Sequence, residues 1–116
     1  MTGYVIADLL LDNDWFGVEQ ILIGSASSKT GFSTAAYTRA AGFQGAIAGL
    51  TSDQNVAFSG ALGCYDRVLS YSEVGSVANE PSAYIDIAGH VEVRSRLHHS
   101  LQNNAVHTLL AGATHW

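Results

Sequence analysis

Five short apolar runs punctuate this chain, and the segments between most of them carry apolar positions at helical spacing, which predicts strands separated by helices. The first run, Ile21-Leu22-Ile23 within residues 19–24, reads as a buried strand. The others fall at residues 44–50, 67–71, 83–88 and 106–111. After the first strand, residues 30–41 are predicted as a helix in which Phe32, Ala36 and Ala40 share a face, with Gly42 closing it. Residues 53–62, ended by Gly63, and residues 91–102, with Val93, Leu97 and Leu101 aligned, supply two more helices. A loop containing Pro81 is expected over residues 72–82. An opening helix begins at Thr2 or Gly3, has an apolar middle from Tyr4 to Leu11, and is stopped by Asp12-Asn13-Asp14. So much apolar surface predicts packing on the sheet or on a missing neighbour, and Trp15 and Phe16 also need something to lie against.

Strands alternating with helices form a parallel sheet with right-handed crossovers. The expected fold class is α/β, a three-layer Rossmann-like sandwich whose five-stranded parallel sheet has the order 3-2-1-4-5, with an extra N-terminal helix. Ligands then bind at the carboxyl ends of the strands, where the order switches between the first and the fourth. That crevice would be lined by the turn over residues 25–30, by Thr51 and Ser52, by Tyr71, and by Ala88 and Gly89.

The turn after the first strand holds most of the candidate chemistry. Ser25-Ala26-Ser27-Ser28-Lys29-Thr30-Gly31 is small and hydroxylic, and a helix starts there. Free N–H groups and the positive dipole end of such a helix favour a phosphate, to which serine and threonine hydroxyls add donors and Lys29 a charge. The turn is therefore expected to hold the pyrophosphate of a dinucleotide through Ser27, Ser28, Lys29, Thr30 and Gly31. Against the fingerprint G-x-G-x-x-G only the third glycine, Gly31, survives, the one that lets helix and strand pack closely. Ala26 and Ser28 replace the first two, which is expected to set Cβ atoms where the backbone meets the pyrophosphate. A serine-rich turn in an ordinary parallel sheet fits the same residues. A Walker A loop does not, because Ser28 and Ile23 stand where it needs glycine. The serine-hydrolase elbow places its nucleophile at Ala26 and fails as well.

Twenty residues beyond Gly31, where an acid would hold the adenosine ribose, stand Thr51 and Ser52. That leaves room for a 2′-phosphate and leans the expectation to NADP over NAD. Asp53 stands close by, no arginine does, and Ser52 or Asp53 also suits a helix cap.

Composition narrows the classes. The 116 residues, 47% hydrophobic with a single proline, suit one domain with a real core. A net charge of −5 argues against nucleic acid. No apolar run approaches the ~20 residues of a membrane span, and no signal peptide leads the chain, so a cytoplasmic protein is expected. The single cysteine, Cys64, rules out a disulfide framework and reads as a small buried hydrophobe. Among the five histidines, His98 and His99 are adjacent on a helix and point apart, while His90, His107 and His115 lie near element ends. Solvated or capping roles are expected for them, and no metal site. Lys29 is the only lysine and Ser25 lies four residues before it, so the Tyr-x-x-x-Lys pair of short-chain dehydrogenases is absent.

Taken together, several of these stretches resemble a known family. They are Ala26-Ser27-Ser28-Lys29-Thr30, Gly49-Leu50-Thr51-Ser52 with Asn55, Leu62-Gly63 with Tyr65-Asp66, Tyr71, Asp86-Ile87-Ala88-Gly89, and the closing Gly112-Ala113-Thr114-His115-Trp116. The combination is similar to an uncharacterised quinone-oxidoreductase-like family of the medium-chain dehydrogenase/reductase superfamily. That resemblance implies the NADP-binding Rossmann domain of a zinc-independent reductase, with the ribose phosphate at Thr51, Ser52 and Asn55 and Tyr71 against the adenosine. Members of that family also carry a substrate domain, so the chain is expected to be a cofactor portion, not catalytic alone. The alternative is a non-catalytic Rossmann-like module with weak or no nucleotide binding. An exposed fifth strand or the apolar first helix is expected to mediate a homodimer.

Overall fold

A computed structural model describes residues 3–110, and the alternation read from the sequence closes into a single sheet. In chain order the main elements are α1 (Gly3–Asp12), β1 (Gln20–Ile23), α2 (Lys29–Ala40), β2 (Ala46–Thr51), α3 (Val56–Ala61), β3 (Arg67–Ser70), β4 (Ser82–Asp86), α4 (Val91–Leu101) and β5 (Ala105–Leu110). The strand order is β3-β2-β1-β4-β5, and all four pairings are parallel. The chain is thus an α/β protein with helices on both faces of a parallel sheet, consistent with the Rossmann-like sandwich expected.

Because β1 is central and covered on both faces, every one of its residues is buried, which is why it reads as an unbroken apolar run. Successive side chains divide between two cores. Ile21, Ile23, Ile47, Ala83 and Ile85 meet Ile6 and Leu10 of α1 and Ala35 of α2. On the other face Leu22, Ala48, Leu50, Leu69 and Tyr84 meet Val74, Val77 and the α4 residues Val93, Leu97 and Leu101. The helix preceding the sheet therefore packs into the first core, as its apolar middle predicts. Gly3 allows α1 to cross α2 closely, since a Cβ there would run into Ser33 and the Thr34 backbone. Trp15 lies against Phe43, ring centroids 5.3 Å apart, and Phe16 stacks on His107 of β5 at 3.9 Å.

Several local expectations are corrected. The buried face of α2 is Gly31, Thr34, Ala35 and Thr38, not Phe32, Ala36 and Ala40. Threonine reads as polar in the sequence, yet Thr34 returns its hydroxyl to the Thr30 carbonyl at 2.7 Å and so buries with its donor satisfied. The helix expected over residues 53–62 is a 3₁₀ turn, Asp53–Asn55, followed by the short α3. Tyr71 does not end β3. It opens a 3₁₀ turn, Tyr71–Ser76, which replaces the start of the expected loop, because Glu73 reaches back to the backbone N–H of Ser70 at 3.1 Å and to its hydroxyl at 3.2 Å. Ala111 and the closing Gly112-Ala113-Thr114-His115-Trp116 lie outside the described residues, as does Thr2. Among the described residues no helix is long and apolar enough to cross a membrane.

Candidate functional site

The carboxyl ends of β1, β2 and β4 converge where the strand order reverses. After Gly24, whose N–H still bonds the Ile85 carbonyl at 2.9 Å, Ser25 turns into the left-handed region with φ of 54°. Its carbonyl accepts from both the N–H and the hydroxyl of Ser28, at 2.9 and 2.7 Å. The Ser28 hydroxyl in turn accepts from the Gly31 N–H at 3.0 Å, so Ser28 caps α2 while its hydroxyl proton is given to the Ser25 carbonyl. Gly31 is required at this point. A Cβ would collide with the Ser25 carbonyl, which is the close helix–strand approach that the surviving fingerprint glycine implies. Lys29 is exposed, and the N–H groups of Lys29 and Thr30 take no part in the turn's backbone bonds.

Ala26 departs from expectation. It is fully buried, with its N–H on the Leu50 carbonyl at 3.0 Å and its own carbonyl accepting from the Tyr65 hydroxyl at 2.8 Å. Its Cβ is turned into β2, 2.7 Å from where a Cβ of Gly49 would lie, rather than toward a pyrophosphate. The missing side chain at Gly49 makes room for it. Ser27 sits beside Thr51, whose hydroxyl bonds it at 3.3 Å.

At the ends of β2 and β3 the residues expected to surround a ribose phosphate are only partly available. Thr51 is buried and tied to the turn, while Ser52 accepts from the Asn55 side chain at 3.0 Å. Asp53 accepts from the Ser72 hydroxyl at 3.3 Å. Asp53, Val56, Ser70, Ser72 and Glu73 line a cavity of about 340 Å³, which therefore carries two carboxylates and no lysine or arginine.

The switch point itself is crossed by Tyr71. Its hydroxyl accepts from the Ser25 N–H at 2.9 Å, and its ring tilts against His90 with centroids 5.1 Å apart. Tyr71 thus reaches from the end of β3 to the turn after β1 and the turn after β4. In that second turn Ala88 and Gly89 are exposed, and Gly89 has φ of 75°. Asp86, 1% exposed, accepts from the N–H groups of Gly89 and His90 at 2.9 and 3.2 Å and pairs with Arg94 at 3.1 Å. Tyr84 points up the same strand with its hydroxyl buried and unpartnered beside Gly24. Burial first, then the charges of Asp86 and Tyr71, push its phenol well above the ordinary tyrosine value, with Arg94 opposing.

The structure thus gathers Ser27, Ser28, Lys29, Thr30, Gly31, Thr51 and Tyr71 about the turn. Ser52 and Asn55 stand as a separate pair, and Gly89 shapes the second turn, while Ala88 makes no polar contact there. Sequence reasoning missed Tyr65, Tyr84, His90 and Arg94 as members of this region and gave Asp86 no role. One signal was present: Tyr84 and Asp86, like Ser82, are polar-capable residues on a strand buried throughout.

Elsewhere, a depression of about 420 Å³ lies between Trp15, Gly45 and Glu80 at the opposite end of the strands, away from this chemistry. Cys64 packs partly buried beside the first core, and burial raises its thiol pKa. Among the described residues no three His, Cys, Asp or Glu side chains gather as metal ligands. His98 bonds the Thr108 hydroxyl at 2.8 Å, and His115 lies outside the described residues. Across residues 1–116 the chain matches the family described as a protein of unknown function, DUF2855, and it belongs to that family. No curated protein matches it.

Proposed function

We propose that this chain is a dinucleotide-binding cofactor domain of a zinc-independent, quinone-oxidoreductase-like reductase, holding NAD(P)H while another domain binds the acceptor. One observation carries the reading. At the switch point, α2 begins with a neutral serine cap, an exposed Lys29 and first-turn N–H groups outside the backbone bonding of the turn, so its positive end carries no anion of its own. Gly31 brings that helix end against β1, where a pyrophosphate would meet both.

The sequence leans to NADP, but the charges at the adenosine end support NAD(H) better. A 2′-phosphate there would face Asp53 and Glu73 without a cation, whereas a free 2′-hydroxyl would donate to a carboxylate. A calorimetric titration of the protein with NADH and NADPH tests both points. NADH should bind more tightly, Lys29→Ala should weaken both by roughly two- to five-fold, and Asp53→Ser should narrow the gap between them. No heat and no thermal shift at millimolar nucleotide would sink the cofactor reading.

The second reading, a non-catalytic module, is favoured by the Tyr71 hydroxyl already occupying the Ser25 N–H. It also draws on apolar side chains left exposed on α1 and on the edge strand, Tyr4 and Leu11, Val106 and Leu110. These would support a homodimer through β5 or α1, and a monomeric mass in solution at micromolar concentration would count against it.

A further inference from the structure

We propose that the Tyr84 hydroxyl is a hydrogen-bond donor held for a carbonyl oxygen of the ligand, and that Tyr71 covers it until the ligand arrives. This rests on the cofactor reading, in which the carbonyl is the carboxamide of the nicotinamide ring.

The first observation is the orphan itself. Tyr84 is 3% exposed, and its Oη has no partner in the folded chain. Buried polar groups are nearly always paired, because an unmade hydrogen bond costs stability that phenylalanine at the same place would spare. The second is its position. Oη lies 2.6 Å from where a Cβ of Gly24 would stand, so the hydroxyl fills the space left by that glycine directly after β1. It therefore sits beside the turn where the strand order reverses, the position at which α/β sheets receive ligands.

The third observation is the cover. Tyr71 packs against the core cluster that contains Tyr84, and it spans the crevice between the Ser25 N–H and the His90 ring. Besides its packing on that cluster, one hydrogen bond and one tilted ring contact hold it, and the residue is only half-buried. On this proposal, rotation of this single side chain would open the way to the Tyr84 hydroxyl and at the same time release the Ser25 N–H to the turn. A phenol is protonated at neutral pH, as a donor must be, and burial pushes its pKa further up.

The experiment compares the protein with Tyr84→Phe, first by thermal melting without ligand, then by titration with NADH and with ADP-ribose, which lacks the nicotinamide ring. The expected result is a Tm raised by a few degrees. NADH binding should be weakened roughly three- to ten-fold, with ADP-ribose binding unchanged. A lowered Tm would mean the hydroxyl has a partner after all and would overturn the proposal. Equal losses for both ligands, or no loss for either, would overturn the donor role while leaving the cofactor reading intact. If the unaltered protein binds neither ligand, the cofactor reading fails and the donor assignment falls with it.

Discussion

Two strand-to-helix turns flank the switch point, and they treat the positive end of the helix that follows in opposite ways. After β4, the buried Asp86 carboxylate accepts two backbone N–H groups just before α4 and is balanced by Arg94. After β1, the helix is capped by the neutral hydroxyl of Ser28, beside the exposed cation of Lys29. The α4 end already carries an anion that belongs to the chain, whereas the α2 end has none. On the proposed cofactor reading, a foreign phosphate would be directed to the turn after β1, although the two turns occupy equivalent places in the fold.

The comparison can be broken by deleting each cap. Asp86→Ala should lower stability by about 3 kcal/mol or more, because it leaves the half-buried Arg94 and two N–H groups without their acceptor. Ser28→Ala should cost only about 1 kcal/mol, the ordinary loss of a neutral cap. Chemical denaturation of the two variants checks the order, and equal losses would show that the turns are anchored alike. The glycines sharpen the contrast further. Gly31 is constrained by space and Gly89 by its positive φ, with nothing near its absent side chain. Gly31→Ala should cost about 2 kcal/mol through the clash with the Ser25 carbonyl. Gly89→Ala should cost about 1 kcal/mol from backbone conformation alone. A Gly31→Ala protein as stable as the parent in the same denaturation assay would remove the close approach from the account.

The sequence disclosed what depends on neighbours along the chain and hid what depends on distant ones. Strand positions and their order were legible because β1 and β4 are short apolar runs separated by helix-length segments. The role of Gly31 was legible for a similar reason, since its obstacle, Ser25, is six residues away in the same turn. The orientation of Ala26 was not, because it is set by the bare backbone of Gly49 on the next strand. Nor was the contact of Tyr71 with Ser25, which are 46 residues apart and meet only when β3 and β1 share a sheet. The α2 face was misjudged because its buried threonines look polar in sequence, while the hydroxyl of Thr34 is satisfied within the helix. Thr38 carries a buried hydroxyl with no partner, and nothing in the structure accounts for it.

The all-parallel pairing also governs how the chain can assemble. Parallel neighbours cannot be joined by a tight hairpin, so no strand of this sheet can pair early with the one that follows it directly. β1 must wait for β2 on one side and for β4 on the other, and the Gln20 side chain bonds the Ser82 hydroxyl across 62 residues. The strand that emerges first is thus enclosed later than β2, which follows it and is flanked once β3 has been made. Until residue 82 and its neighbours have been made, one edge of the most apolar strand stands open, so closing the centre of the sheet means bringing together residues far apart along the chain.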